Sequence, residues 1–355
     1  MPAVVRGAQS IEARIKARAL SLGFLSCGIT TPDPMESFPR YQQWLDKQHH
    51  GDMKYLSTAY HRESRQDAHT LMPEVRSIIC LGYQYPLHPI SFLNQQNVGL
   101  FAGYAAGIDY HLTLPKLMDN LISFIHQAAG KDIQAARFTD SAPILERELA
   151  QRAGLGWIGR NSCLISPEFG SAFLLAEIFI DLPLAPDPPF VDDRCGTCQR
   201  CIETCPTACI NHDRTLNASR CISYHTIENK NSIPPEIAEK IGPWLFGCDV
   251  CQMVCPWNHK VQNSRVESPA LSLSLPELIH SLSFSPDVFE KRYDRSPVLR
   301  SKWKGFIRNA LIVLSSSNRE IALPALHDFL NSNHDEDLLS TAKWSVNNFM
   351  KDPPG

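Results

Sequence analysis

The sequence predicts an α+β fold divided into three consecutive segments. The first segment, up to about residue 189, alternates apolar runs of strand length with stretches of helical periodicity. The second, residues 190–260, contains nine of the 12 cysteines, and the third, residues 261–355, has helical periodicity. With 355 residues, of which 43% are hydrophobic, the chain is long enough to form two or three folded domains.

Two apolar runs in the first segment, Ser77–Tyr83 and Ala172–Ile180, predict buried strands because each is short and continuous. Stretches with apolar residues three or four positions apart predict amphipathic helices over Ser10–Leu22, Leu112–Ala129 and Ile144–Ala153. The stretch Asp181–Pro189 contains four prolines, which oppose regular structure. We therefore expect the first domain to end there.

The third segment repeats a short helical pattern. Three helices are predicted here: Trp303–Ser315, Ile321–Leu330 and Asp337–Met350. Short helices that follow one another in this way are similar to one or two HEAT-type units. We therefore expect residues 261–355 to form an all-helical domain.

Composition and charge narrow the possible functions. The net charge of −3 gives the chain as a whole no attraction for nucleic acid, so an RNA partner would require a local basic patch. Residues Ser10–Leu22 mix charged and apolar side chains, unlike a secretory signal, and no run reaches the ~18 apolar residues of a membrane span. We expect a cytoplasmic protein without membrane contact, in which clustered cysteines bind metal.

Eight cysteines follow the pattern of a two-cluster ferredoxin. The first motif, C-x2-C-x2-C-x3-C-P, runs from Cys195 to Pro206; the second, from Cys248 to Pro256, lacks one cysteine that Cys221 can replace. In such proteins the fourth cysteine of a run binds the other cluster. This rule gives two [4Fe–4S] clusters with these ligands: Cys195, Cys198, Cys201 and Cys255 for cluster one, and Cys205, Cys221, Cys248 and Cys251 for cluster two.

Zinc is the alternative metal, since CxxC pairs also bind zinc. Three cysteines at CxxCxxC spacing suit the face of a cube better than a tetrahedron, so iron–sulfur clusters are favoured. The remaining cysteines are expected to be packed thiols: Cys27, Cys80, Cys163 and Cys209. Two neighbouring clusters relay single electrons, so the rest of the chain must hold the electron acceptor.

Several motifs together resemble the epoxyqueuosine reductase family. They are RCGTCQRCIETCPTACI at Arg194–Ile210, GCDVCQMVCP at Gly247–Pro256, Thr139-Asp140-Ser141 ahead of ELAQRAGLGWIG at Glu148–Gly159, and GIDYH at Gly107–His111. The resemblance spans nearly the whole chain. This combination is far more specific than the cysteine pattern alone.

The resemblance implies a cobalamin-dependent enzyme that removes the epoxide oxygen of epoxyqueuosine in tRNA to give queuosine. It implies a nitroreductase-like α/β domain at residues 1–189 that binds base-off cobalamin. A ferredoxin-like domain at residues 190–260 would supply electrons, and a HEAT-like domain at residues 261–355 would contact the tRNA.

Asp140 matches the proton donor of the family. Opening an epoxide leaves an alkoxide, which a neighbouring carboxylic acid can protonate, and burial against the corrin is expected to raise the pKa of Asp140. Without the resemblance, Asp140 would be interpreted as the N-cap of the helix Ile144–Ala153. His111 is not expected to bind cobalt. Six further positions match cobalamin contacts of the family: Arg65, Asn161, Leu164, Leu175, Ser223 and Asp249.

A basic patch lies between residues 291 and 308. Its cations, against the single acid Asp294, are Lys291, Arg292, Arg295, Arg300, Lys302, Lys304 and Arg308. Tyr293 and Trp303 are interleaved, which suits contact with RNA phosphates and bases. A solvated helix face explains the same charges equally well.

Two other functions are compatible with the cysteine pattern. A reductive dehalogenase shares the combination of cobalamin and ferredoxin, but such enzymes are typically exported with a twin-arginine signal, which this sequence lacks. A plain electron-transfer protein leaves the first segment and the basic patch without a role. The favoured function requires a tRNA with a queuosine-type anticodon and a low-potential electron donor, and we expect a monomer.

Overall fold

The secondary structure comes from a computed structural model that describes residues 9–259 and 271–349. The strands of these residues are β1 Ser26–Thr30, β2 Ser77–Gln84, β3 Val98–Phe101, β4 Ala135–Phe138, β5 Trp157–Ile158, β6 Leu164–Ile165, β7 Phe173–Ile180, β8 Trp244–Phe246 and β9 Ser272–Ser274. The helices are α1 Ile11–Ser21, α2 Phe38–Asp46, α3 Ala59–Gln66, α4 Tyr110–Ala129, α5 Glu146–Arg152, α6 Arg200–Glu203, α7 Ile222–Ile227, α8 Pro235–Ala238, α9 Val250–Met253, α10 Pro256–His259, α11 Leu275–Ser281, α12 Pro286–Arg292, α13 Lys302–Leu314, α14 Arg319–Ser332 and α15 Glu336–Asn348.

A four-stranded antiparallel sheet in the order β1-β2-β7-β4 forms the centre of the first segment. Successive side chains of a strand point to opposite faces. Ile79 and Leu81 of β2 therefore pack in the hydrophobic cluster that contains residues of α1 and α4, whereas Ile78 and Cys80 pack in the cluster that contains residues of α5. Both predicted strands of this segment are present, and each is buried because helices cover both faces.

The predicted helices are largely confirmed. Ser10 caps α1 by accepting a hydrogen bond from the backbone N–H of Ala13, and α13, α14 and α15 begin within two residues of the predicted starts. The predicted helix Ile144–Ala153 is shorter than expected, since α5 begins at Glu146. Residues 181–189 form neither helix nor strand, as their prolines predict. Met350, the predicted end of the last helix, lies outside the described residues.

A second sheet joins the three segments of the sequence. Its central strand β3 pairs in parallel with β8 and antiparallel with β9. The expectation that residues 261–355 are all helical is therefore wrong, because Ser272–Ser274 adds a strand to an edge that the first segment provides. The predicted boundary at residues 260–261 lies outside the described residues, and the boundary at residue 189 stays a prediction.

One hydrophobic cluster continues from this sheet into the C-terminal helices. It contains Leu100 of β3, Leu245 of β8 and Phe306 of α13, all fully buried. Asn309 of α13, which is also fully buried, donates hydrogen bonds to the backbone carbonyls of Thr226 and Leu245 at 2.8 and 3.0 Å. The cysteine-rich and helical segments therefore fold around a shared core. In the described ranges, no helix is both long and apolar enough to cross a membrane.

Arg308 is expected to stabilise this core rather than to bind RNA. Its guanidinium donates to the backbone carbonyls of His225, Asn229 and Asn231, and burial lowers its pKa to about 10. Arg308→Met leaves three carbonyls without a donor, and we expect it to lower the free energy of unfolding by about 3 kcal/mol. Urea denaturation of the anaerobically purified protein measures this. The exposed Lys291→Met should change it by less than about 0.5 kcal/mol, and an equal loss in both variants would contradict the structural role.

Candidate active site

The four cysteines predicted for cluster one line a single cavity of about 270 Å³ near the surface, which is also lined by three arginines. The Nε1 of Trp157 lies 3.4 Å from the Sγ of Cys195 and can donate to it. Burial, together with the nearby sulfurs of Cys195 and Cys255, raises the pKa of the Cys201 thiol to about 11. Four sulfurs around one cavity fit the ligands of one cluster, whose iron would stabilise the thiolates.

The cysteines predicted for cluster two are all partly buried, like three of the four predicted for cluster one. Burial raises the pKa of Cys248, and the neighbouring Cys221 and Cys205 add to this effect. Burial likewise raises the pKa of Cys251, with Cys248 and Cys221 among its neighbours. Cys209 is buried as expected for a packed thiol, but its Sγ lies 3.5 Å from that of Cys205, so it touches a predicted ligand.

Asp249 connects this second group of cysteines to the first segment. Asp249 lies between Cys248 and Cys251 in the sequence, and its side chain is buried. It accepts a hydrogen bond from the backbone N–H of Gly103 at 2.6 Å. A Cβ at Gly103 would lie 1.7 Å from the carbonyl oxygen of Pro86, so only glycine permits this approach. Burial raises the pKa of Asp249 to about 7.

Asp140 lies on the loop between β4 and α5 and does not cap the helix. The N-cap of α5 is Leu145, and Asp140 has a φ of 55°, which is uncommon for a residue other than glycine. Its backbone N–H donates to the carboxylate of Glu146 at 2.6 Å. The interpretation of Asp140 as an N-cap is therefore wrong, because the helix begins five residues beyond the position that this requires.

Three side chains converge on the carboxylate of Asp140, whose side chain is 48% exposed. The hydroxyl of Tyr110 donates to its Oδ2 at 2.9 Å. The Nε2 of His111 and an Nη of Arg300 each lie 3.6 Å from the same oxygen. The Nδ1 of His111 lies 2.9 Å from Asp109, which fixes the orientation of the imidazole ring.

These neighbours set the charge of the site. Burial raises the pKa of Asp140, but the hydrogen bonds from His111 and Tyr110 and the charge of Arg300 outweigh it and hold the pKa below its ordinary value. Without the cofactor, the pKa of Asp140 is therefore lowered because three donors face the carboxylate, and the raised pKa expected beside the corrin stays a prediction. The hydrogen bond to Asp140 raises the pKa of His111, so the proton of this pair resides on the histidine.

The six other positions predicted to contact cobalamin fall into two groups. Near Asp140, the hydroxyl of Thr139 donates to the carbonyl of Leu175 at 2.9 Å, and the buried Arg65 stacks on Tyr41 with its guanidinium carbon 5.3 Å from the ring centre. Leu164 is buried in the same hydrophobic cluster that Leu175 packs against. The others lie beside the cysteines of cluster two: Asn161 and Asp249, which are buried, and Ser223 in the first turn of α7.

The sequence did not single out Arg300, Tyr110 and His111 as site residues. Arg300 was counted only as part of the basic patch, yet it comes from the third segment and reaches Asp140 and also Glu228, whose Oε1 accepts from its Nε at 2.5 Å. Tyr110 and His111 belong to the GIDYH motif, and this motif could have identified them as site residues. All three segments thus contribute a charged residue to this site.

The basic patch is only partly available to RNA. Tyr293 is 6% exposed and packs in the core, so the expectation that it stacks on bases is wrong. The indole N–H of Trp303 donates to the carbonyl of Phe284 at 2.6 Å. Lys304 binds Asp335 and Asp337 of the last helix at 3.0 and 2.6 Å, which neutralises its charge. Lys302 is exposed at the start of α13.

Comparison with known proteins first defines the class. A family model described as 4Fe-4S double cluster binding domain matches residues 194–258, the part of the chain that contains both cysteine groups. This match confirms iron–sulfur clusters and not zinc. With a carboxylate site beside the clusters on a mixed α/β fold, the chain has the features of an iron–sulfur oxidoreductase.

A second family model, described as epoxyqueuosine reductase QueG, DUF1730, matches residues 65–141. An epoxyqueuosine reductase from Cyclobacterium marinum is 38% identical over 306 residues, which cover 86% of this chain and 97% of the relative. This chain belongs to the epoxyqueuosine reductase family, as its motifs predict.

Two solved structures extend the likeness to the fold. One is an epoxyqueuosine reductase from Bacillus subtilis with its catalytic aspartate loop swung out of the active site; it is 27% identical, with a TM-score of 0.83, and the match covers 96% of this chain and 90% of that one. The other is an epoxyqueuosine reductase with an epoxyqueuosine-modified tRNA-Tyr stem loop; it is 25% identical, with a TM-score of 0.74, and the match covers 96% and 99%.

The division of the cysteines can be tested by pairing substitutions. Cys198→Ser and Cys255→Ser are predicted to affect cluster one, so the double variant should lose no more than roughly half of the iron. Cys198→Ser combined with Cys251→Ser affects both clusters and should lose nearly all of it. Iron analysis and electron paramagnetic resonance of the reduced proteins measure this, with Cys163→Ser as the control that keeps its iron. Nearly complete iron loss in the first pair would contradict the crossed assignment.

Proposed function

We propose that this chain reduces epoxyqueuosine to queuosine in tRNA, with electrons that pass through two [4Fe–4S] clusters. The observation that carries the proposal is the half-exposed carboxylate of Asp140, which is held by Tyr110, His111 and Arg300. It is supported by relatives such as the epoxyqueuosine reductases from Cyclobacterium marinum and Escherichia coli, which match 86% of this chain. Removal of the epoxide oxygen as water consumes two electrons and two protons, so the site must supply both.

The position of the cysteine groups suggests the direction of electron flow. Cluster one would lie at a cavity near the surface, where a low-potential donor can reach it, and cluster two would lie beside Asp249, which is bonded to Gly103 of the first segment. Gly103 donates to Asp249, and the ring centre of its neighbour Tyr104 lies 6.2 Å from that of Tyr110, which donates to Asp140. The cysteines of cluster two and the carboxylate site are therefore close to one another. Cobalamin, when bound, supplies the cobalt centre that carries the electrons from the clusters to the substrate.

The residues near Asp140 fit a cobalamin molecule. Arg62 Nε and Ser64 Oγ on α3 are buried and have no hydrogen-bond partner in the described part of the chain. They lie on the same helix as Arg65, and the amide groups around the edge of a corrin would satisfy such polar atoms. We therefore propose that Arg65, Leu164 and Leu175 contact cobalamin on the Asp140 side, and that the other predicted contacts do so on the side of cluster two: Asn161, Ser223 and Asp249.

The geometry also suggests how the site handles protons. Asp140 donates a proton to the oxygen that the epoxide releases, and Tyr110 holds its carboxylate in orientation. Because Asp140 is ionised in the free protein, it needs a proton source. His111 is 3.6 Å away and its pKa is raised by the hydrogen bond to Asp140, so we propose that His111 passes its one acidic proton to Asp140. The second proton is proposed to come from solvent, which reprotonates His111.

The tRNA is proposed to approach over Asp140 from the side of Arg300 and Lys302. This surface belongs to the third segment, which we propose to be a HEAT-like domain, with the first segment as a nitroreductase-like domain that ends near residue 189. A queuosine-type anticodon, a monomeric state and a cytoplasmic location stay predictions of the sequence.

Asp140→Asn is expected to keep both clusters and cobalamin but to lose turnover by at least about 100-fold, because the amide cannot donate the proton. The measurement is incubation with epoxyqueuosine-containing tRNA, cobalamin and a strong reductant, followed by nucleoside analysis. Asp119→Asn is the matched control, since Asp119 is an exposed carboxylate paired with Arg137. Wild-type turnover in Asp140→Asn would remove the proton-donor role, and no queuosine from the wild-type protein would refute the function.

Lys302→Gln is expected to weaken tRNA binding and to make it less dependent on salt. Loss of one phosphate contact reduces the slope of log affinity against log salt by about 0.7–0.9. Lys304→Gln should have a smaller effect, because Asp335 and Asp337 already neutralise Lys304. Fluorescence anisotropy of a labelled stem loop across a salt series measures both. Equal slopes in the wild type and Lys302→Gln would exclude Lys302 from the interface.

A further inference from the structure

Glu177 is an unusual residue for the centre of a sheet. It lies on β7, is fully buried, and neither of its carboxyl oxygens has a hydrogen-bond partner in the described part of the chain. Its register partners are Cys80 on β2 and Phe138 on β4, two residues before Asp140. A buried carboxylate without a partner is so costly that the group is expected to hold its proton.

Glu177 lies on the same face of the sheet as Phe179 and Cys80, which pack with residues of α5, and Glu146 is the acid at the start of that helix. Glu146 also holds the Asp140 loop. It is the first residue of α5, and its Oε1 accepts the backbone N–H of Asp140 at 2.6 Å. An acceptor role favours the ionised form of Glu146, whereas burial opposes it. Two carboxyl groups close together in an apolar setting cannot both ionise, so they titrate as a pair.

No cation among the groups described around Glu146 and Glu177 pairs with the carboxyl group of Glu177, so none favours its ionised form. From β2 it faces Cys80, whose own pKa burial raises well above its ordinary value, so this thiol is neutral. Arg65, Arg147 and Asp140 act on Glu146. Burial and the proximity of Glu146 raise the pKa of Glu177, which agrees with a neutral acid at this position.

We propose that Glu146 and Glu177 share one buried proton, and that this proton holds the Asp140 loop against the sheet. Protonated Glu177 donates to the carboxylate of Glu146, which in turn accepts the amide of Asp140. When the proton leaves, the buried anion of Glu177 repels the anion of Glu146, Glu146 turns away and the loop loses its anchor. Glu146 and Glu177 are therefore positioning residues, which act on the reaction through Asp140.

The loop has few other anchors, which makes it sensitive to this pair. Asp140 adopts a left-handed backbone conformation, which carries a cost that its contacts must offset. Thr139 adds one hydrogen bond to the sheet through Leu175. The importance of the loop position rests on the proposed function of Asp140. The proton-sharing pair itself can be tested without turnover.

Hydrogen exchange of the peptide that contains residues 138–146 tests the proposal directly, because the amide of Asp140 is protected by Glu146. The cluster-containing protein, without cobalamin or tRNA, is followed by mass spectrometry from about pH 6 to about pH 9.5, and rates are divided by the intrinsic rate at each pH. In the wild type, protection should fall by about tenfold per pH unit once the shared proton begins to leave. In Glu177→Gln, whose amide donates to Glu146 and has no proton to lose, protection should stay constant.

Glu148→Gln is the matched control. Glu148 is a buried carboxylate on the same helix, but it accepts from the backbone N–H groups of Glu36 and Ser37 and not from the Asp140 loop. In Glu148→Gln, the protection of the Asp140 amide should still fall with pH as it does in the wild type. The proposal would be overturned if protection in the wild type did not fall with pH, or if it fell equally in Glu177→Gln. If Glu177→Gln does not fold, Glu146→Gln must remove this fall in protection instead. Because no substrate is present, a negative result leaves the reductase activity intact.

Discussion

The hydrogen bond from the amide of Gly103 to Asp249 is the constraint on which the arrangement of the site depends. It is 2.6 Å long, buried, and joins the first segment to the residue between two predicted ligands of cluster two. The contact needs a glycine because Pro86 occupies the space of a Cβ. A buried carboxylate that lost this donor would keep only the side chain of Gln252, at a cost of roughly 1–3 kcal/mol, so the two segments are held at a fixed separation. In the proposed function, electron transfer between the clusters and the Asp140 site depends on that separation.

Contacts between segments also explain why residues of all three segments meet at Asp140. Its carboxylate comes from the loop after β4, Arg300 comes from the turn before α13, and Glu228, which binds Arg300, follows α7. Arg300 would be mobile without Glu228, and its charge would then act weakly through solvent. The shared core of β3, β8 and α13 brings these distant residues together. The packing of the C-terminal helices therefore contributes to the electrostatics of the site, quite apart from any contact with tRNA.

The sequence predicted the features that depend on local spacing and missed those that depend on contacts between distant residues. The apolar periodicity of α13 and the cysteine spacing are local, so the helix was found within a residue and the match over residues 194–258 confirmed the iron–sulfur clusters. The strand β9 was missed because three residues, two of them serine, have no pattern of their own and pair only where β3 offers an edge. Arg300 and Asp140 are 160 positions apart, so no local pattern could link them. The lowered pKa of Asp140 in the protein without its cofactor was missed for the same reason, because its donors come from elsewhere in the chain.

The pKa of Asp140 constrains the order in which the site closes, Asp140 gains a proton and the epoxide opens. In the free protein, hydrogen bonds and Arg300 keep this carboxylate ionised, although burial acts in the opposite direction. A proton donor must instead be protonated when the epoxide opens. Cofactor and tRNA would cover a side chain that is 48% exposed, which removes water, strengthens the effect of burial and favours the neutral acid. His111 holds a proton at 3.6 Å, so closing the site can move that proton to Asp140 without any from solvent. An ionised Asp140 in the resting protein is therefore compatible with a donor role, provided that the site closes before the bond breaks.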